Sequence, residues 1–196
     1  LLGLIIAFMS SVQLRQFGAD IYVASLVSLA MTRELGPIMT AIIVAGRSGS
    51  AFAAEIGTMR ISEEIDALFT MGFDPTRFLA IPKIIASIVV VPLLTLFSDV
   101  FAILGGLVVG ALMLDLTANA YMAQTFVTLT PFDVFLGVLK SAVFAFLISW
   151  IGCFRGFRVR GGAAGVGEAT TSAVVSSIFL IILTDSMFSV ILRYWG

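Results

Sequence analysis

Histidine is absent from this 196-residue chain, and Cys153 is its single cysteine. Without an imidazole there is no Ser-His catalysis, no zincin motif and little transition-metal chemistry. One cysteine allows neither an internal disulfide nor a Cys-cluster metal site. Charge is scarce as well, at 12% of residues against roughly a quarter in soluble domains. A net charge of −1 offers no basic face for nucleic acid.

What is abundant is apolar surface. The chain is 60% hydrophobic, with a mean hydropathy of +1.13. Runs such as residues 84–94 and 101–114 are too long and too apolar to face water. The short alternating segments of a membrane barrel are not visible. Composition therefore predicts an all-α, polytopic transmembrane helical bundle.

A spanning helix needs roughly 20 apolar residues. Residues 1–14 read as the end of a first, incomplete span, because the chain opens inside an apolar run without an initiator Met. Gln13, Arg15, Gln16 and Asp20 form the polar break after it. Residues 21–59 exceed one perpendicular span and are interrupted by Arg33, Glu34, Arg47 and Glu55. Residues 60–83 are the most charged stretch. Residues 84–114 are apolar apart from Pro92 and Asp99, and residues 115–133 read as a polar loop. A fourth segment covers 134–154, a Gly-rich basic loop 155–167, and a last span about 170–192.

Charge fixes the parity of the crossings. Arg60, Arg77 and Lys83 mark one loop as cytoplasmic, and Arg155, Arg158 and Arg160 mark another. The loop between them has no Lys or Arg, so it faces outward by the positive-inside rule. Residues 84–114 then cross once, as one long, tilted or Pro92-bent helix. The result is five spans in a single membrane domain, residues 1–196, with the C-terminus outside.

In the second segment Ala45, Gly49, Ala53 and Gly57 recur every fourth residue, with Gly46, Ser50 and Ala54 beside them. Small residues at this spacing let helix backbones approach closely. They serve either packing within the chain or a subunit or pore interface, the latter favoured by Arg47 and Glu55 nearby. Arg33-Glu34-Leu35-Gly36-Pro37 sets charge between two apolar stretches, where a functional site is the default reading and bundle packing the alternative. Asp99, Lys140 and Asp185 are isolated polar residues suited to interhelical pairing, with no role assigned to any one.

Residues 61–73 read as a short amphipathic cytoplasmic helix with Ile61, Ile65, Leu68 and Phe69 on one face. Ser62 is the expected cap, Glu63 and Glu64 suit the first turn, and Gly72 with Asp74-Pro75 ends it. Its acidic polar face, Asp66 included, fits docking onto a cytoplasmic protein better than lying on lipid. Two enzyme-like patterns fail. Gly46-Arg47-Ser48-Gly49 matches the Gly-x-Ser-Gly of intramembrane serine proteases, which need a histidine base. The glycines of 161–167 lack the Gly-Lys-[Ser/Thr] of a nucleotide cradle.

Arg33-Glu34-Leu35-Gly36-Pro37, Ala45-Gly46-Arg47-Ser48-Gly49-Ser50-Ala51 and Ala54-Glu55-Ile56-Gly57-Thr58-Met59-Arg60 occur in that order. Glu63-Glu64-Ile65-Asp66-Ala67-Leu68, Met71-Gly72, Asp74-Pro75 and Ala169-Thr170-Thr171 follow. Together they resemble the MlaE/YrbE permease family over essentially the whole chain. The resemblance implies the membrane subunit of a lipid ABC transporter in a bacterial inner membrane. It implies a homodimer, cytoplasmic ATPase subunits that use the ATP, and a periplasmic Mce-domain protein. It also implies an amphipathic elbow helix ahead of the five spans, a segment this sequence does not contain. The cargo is phospholipid in many relatives, sterols or fatty acids in others.

Carried over, Leu14, Phe17, Arg33 and Glu34 line the lipid cavity. Glu63, Glu64, Asp66, Leu68 and Phe69 lie on the helix that couples to the ATPase. No catalytic residue, metal or cofactor is expected in the chain. The rival reading is a membrane scaffold that transports nothing.

Overall fold

The computed structural model describes residues 1–195, and no strand occurs among them. Helix α1 is Leu2–Arg15. One continuous helical run, Tyr22–Ile61, holds 40 residues, about twice what a perpendicular span needs. It consists of α2 (Tyr22–Ala30), a π turn (Met31–Leu35), α3 (Gly36–Val44), a second π turn (Ala45–Gly49) and α4 (Ser50–Ile61). The short helix α5 is Glu64–Thr70. A third π turn, Thr76–Ala80, leads into α6 (Ile81–Met113), followed by α7 (Ala118–Thr128), α8 (Pro131–Phe157) and α9 (Ala163–Trp195). Among the described residues four helical runs are long and apolar enough to cross a membrane, and α1 is a shorter apolar helix. The chain is an all-α polytopic bundle.

Two of the π turns have a cause in the sequence. Gly36 donates its N–H to Met31 O, and Ile81 donates to Thr76 O. The next residue in each case is a proline, Pro37 or Pro82, which has no N–H to give. Widening the turn by one residue places the missing donor where the ladder has already shifted register. At the first turn this leaves Thr32 O without either of its usual ladder donors. Gly137 fills that gap: its Cα lies so close to Thr32 O that a Cβ would collide with it. Pro37 and Pro92 both sit within continuous helical runs.

The chain divides into two compact units, Leu1–Pro37 with Leu93–Leu139, and Ile38–Pro92 with residues 140–195. In the first, Ala7, Val23, Val27, Met31, Ala102, Val109 and Leu114 form the buried cluster. Residues 115–133, read as a loop, contain helix α7 instead. Thr117 caps it by accepting from the Ala120 N–H at 3.3 Å. Its Tyr121 and Thr125 are buried, and Gln124 and Thr128 both hydrogen-bond Ser25 of α2, at 2.9 and 2.8 Å. Polar composition hid a helix whose polar side chains are spent on its neighbour.

In the second unit the small-residue stripe is used inside the chain. Ala41, Ala45, Phe144, Ile148 and Ile181 form one cluster, and Ala45, Gly49, Ala53 and Gly57 are all buried. Gly152 of α8 approaches so closely that an added Cβ would lie 2.7 Å from Gly49 O. A Cβ on Gly156 would lie 2.8 Å from the Ile56 Cβ, and one on Gly57 the same distance from Val159 Cγ2. Along α4 and α8 glycine meets glycine only at Gly152 and Gly49; Gly156 and Gly57 make room for Ile56 and Val159. The subunit or pore interface offered for this stripe does not fit a face already covered by the chain's own helices. Gly46, by contrast, has open space at its Cβ.

The cap expected at Ser62 is also corrected. Its hydroxyl turns back to Thr58 O at 3.0 Å and to Glu64 Oε1 at 2.8 Å, so it closes α4. Ile61 belongs to α4, and α5 starts after Glu63, whose φ is +60°. Gly72, at φ +85°, ends α5, with Phe73 N–H bonded to Leu68 O at 3.0 Å.

Candidate functional site

Arg33 sits in the first π turn, with Met31 and Thr32 buried beside it. Its Nε donates to Asp133 Oδ1 at 2.5 Å, and the two side chains are 52% and 1% exposed respectively. Asp133 is held from behind by the start of α8. Its Oδ2 accepts from the Thr130 N–H at 3.0 Å and from Thr130 Oγ1 at 2.7 Å. Its own N–H faces Thr130 Oγ1 at 3.4 Å. This is a capping box with aspartate three residues after the cap. The helix dipole favours an anion there. A locked, buried carboxylate thus aims a half-open guanidinium from within an apolar span.

Asp133 was read only as the end of a loop. Thr130-Pro131-Phe132-Asp133 nevertheless carries the signature of a helix start, a Thr cap, Pro at the first position and an acid at the third. Of the residues implied to line a lipid cavity, Glu34 is half-buried on the same turn as Arg33. Leu14 is partly buried and packs on the cluster that includes Met31. Phe17 projects from the turn after α1 and is 81% exposed.

Of the three residues read as isolated, Lys140 and Asp185 pair with each other, whereas Asp99 Oδ1 is buried with no hydrogen-bond partner among the described residues. Lys140 on α8 is 1% exposed and meets Asp185 of α9 at 3.1 Å. Lys83 on α6 meets Glu55 of α4 at 2.5 Å, with its ammonium 5.2 Å from the Phe52 ring centroid. Charges at membrane depth are costly unless paired, and these pairs tie helices together. Sequence spacing could not have matched them, since 45 residues separate Lys140 from Asp185.

In the second unit α5 is anchored by Ile65, which is buried with Ile56, Ala80 and Cys153. Leu68 is half-buried, whereas Glu63, Glu64 and Asp66 are exposed. Phe69, placed by periodicity on the apolar face, is 62% exposed, and Met71 and Phe73 beside it are exposed too. Asp66 accepts from Arg60 Nη1 at 2.8 Å, linking α5 to the end of α4.

Long apolar helices tied by interhelical ion pairs mark a multi-pass membrane protein. The family model described as Permease MlaE matches residues 1–191. A probable ABC transporter permease protein of Rickettsia prowazekii (strain Madrid E) is 44% identical over 187 residues, covering 95% of this chain and 72% of the relative. One from Synechocystis is 42% identical over 175 residues, covering 88% and 66%. The chloroplastic protein Trigalactosyldiacylglycerol 1 of Arabidopsis thaliana is 40% identical over 174 residues, covering 89% and 50%. The chain belongs to the MlaE permease family and is the membrane subunit of an ABC transporter, whose ATPase is a separate partner.

Proposed function

We propose that this permease moves lipids, phospholipids foremost, between a bacterial inner membrane and a periplasmic Mce-domain partner. It works as a homodimer energised by cytoplasmic ATPase subunits. The observation that carries the reading is the Arg33–Asp133 pair. A lipid in transit presents an anionic phosphate and apolar chains. A guanidinium with its carboxylate partner buried behind it offers that phosphate a planar, multidentate donor amid apolar walls. Asp133 acts through Arg33 as a positioning residue. The Arabidopsis relative carries a glycolipid in its name, which supports lipid as the cargo class.

The exposed Phe69, Glu64 and Asp66 of α5 are suited to receive the ATPase. Ile65 packs with Ile56 of α4, Ala80 of the third π turn and Cys153 of α8, so movement imposed on α5 reaches the spanning helices. The rival reading, a scaffold without transport, is separated by reconstitution. The full-length protein with its ATPase partner in vesicles should transfer labelled phospholipid only when ATP is hydrolysed. An intact, ATP-hydrolysing complex that moves no lipid supports the scaffold.

A further inference from the structure

The basic end of the second unit holds a cationic site that the transport reading does not use. A cavity of about 450 Å³ is lined by Arg60, Phe157, Arg158, Val159 and Arg160. A neighbouring one of about 240 Å³ shares Arg158 and Arg160 and adds Arg155, with Glu168 as an acidic member. The backbone turns between α8 and α9 through Gly161 and Gly162, at φ +84° and +77°. The start of the long helix α9 follows at once, and its partial positive charge adds to that of the guanidinium groups. Arg60 is engaged by Asp66 at 2.8 Å, and Arg158 lies 4.1 Å from the Phe154 ring centroid. Arg160 is exposed and forms no ion pair among the described residues.

Beside this cluster runs an apolar groove of about 200 Å³ between α8 and α9, lined by Trp150, Ile151, Phe154, Arg155, Ser176 and Leu180. Arg155 borders both regions and is fixed by a 3.0 Å hydrogen bond to Ser176 Oγ. Phe146, Trp150 and Phe154 continue an aromatic ladder along α8, with centroids 6.4 and 6.3 Å apart. A cationic cavity beside an apolar groove, with Arg155 common to both linings, at a basic membrane face matches a ligand with an anionic head and an acyl chain. A free phosphate would use only the first part.

We propose that this is a binding site for an anionic phospholipid of the cytoplasmic leaflet, its phosphate held by Arg158, Arg160 and Arg60 and a chain laid against Trp150 and Phe154. It is distinct from Arg33 and does not depend on the transport reading. An occupying phosphate competes with Asp66 for Arg60, which ties occupancy to the position of α5. Basic residues that merely orient the chain in the membrane need no cavity and no groove.

The test is native mass spectrometry of the full-length protein in detergent, titrated with phosphatidylglycerol, phosphatidylcholine and inorganic phosphate. Phosphatidylglycerol should be retained over phosphatidylcholine. Arg160→Gln should weaken it about fivefold, with Arg160→Lys between, and Trp150→Ala should weaken it as well. Arg77→Gln, which removes an equal charge from the same membrane side, should leave it unchanged, and the same differences should persist in an Arg33→Gln/Asp133→Asn background, which removes the other lipid-binding cation. Wild-type retention by Arg160→Gln, or an equal loss in Arg77→Gln, overturns the site. Full displacement by inorganic phosphate with no effect of Trp150→Ala assigns the cavity to free phosphate and overturns the lipid. Loss of retention when the ATPase subunit binds assigns it to that protein instead.

Discussion

Asp133 and Arg33 form an ion pair in which the anion is buried and the cation half open, 1% against 52% exposed at 2.5 Å. The asymmetry sets what each substitution does. Removing Arg33 leaves a carboxylate without its cation, at a cost of about 1–3 kcal/mol. Removing the charge on Asp133 leaves an arginine that water or a ligand can still satisfy. Asp133→Asn turns an amide NH2 toward a donor, but the half-exposed Arg33 can move to water, so it should lose less stability than Arg33→Glu and bind lipid with altered affinity. Arg33→Glu, which sets two carboxylates together, should lower the melting temperature as well as activity. Thermal melting of the two purified variants checks this order.

The topology is tested by single cysteines, with Cys153 replaced by Ala. Ser62 and Ala164 lie in the segments that carry the basic residues, and Asn119 lies in α7, which carries none. In intact cells an impermeant thiol reagent should label Asn119→Cys and spare the other two. Strong labelling at both Asn119 and Ser62 would contradict the five-span arrangement.

Glu64 and Asp66 are exposed, so reversing both to Lys changes charge without burying anything. Stability should stay within about 0.5 kcal/mol. Co-purification of the ATPase should fall about tenfold through charge repulsion at a docking face. An unchanged yield of ATPase and unchanged lipid-stimulated hydrolysis would count against docking at α5.

Close packing of α4 on α8 gives a stability test. Gly152→Ala pushes a methyl group against the Gly49 carbonyl, a backbone atom that cannot swing away, and should cost about 1–3 kcal/mol. Gly46→Ala meets open space and should stabilise the helix by roughly 0.5–1 kcal/mol. Denaturation of the two proteins in the same detergent compares them. Equal effects would mean the stripe is not the packing seam.

Hydropathy and charge asymmetry were enough to read the bundle, the long helix through Pro92 and the charged segment before it. The small-residue period located the seam but not its partner, because period 4 says only that something approaches closely. Gly152 and Gly156 of α8 had the same spacing and went unread. Helix α7 was missed because its polar residues satisfy neighbours rather than solvent. Ion pairs such as Lys140–Asp185 were invisible because pairing across spans depends on helix rotation, which composition does not encode. Asp133 too had a local signal, the Thr-Pro-Phe-Asp cap.

The central claim, that Arg33 presents the lipid-binding cation, is tested most directly by the lipid content of Arg33→Gln/Asp133→Asn. This double variant is neutral, so no buried charge is stranded. An Arg160→Gln background, itself the reference protein, removes the second site from the measurement. Lipid mass spectrometry should find that the double variant assembles with normal yield but loses most co-purified phospholipid, with Arg33→Lys intermediate. An intact double variant carrying as much phospholipid per protomer as the reference would contradict the account.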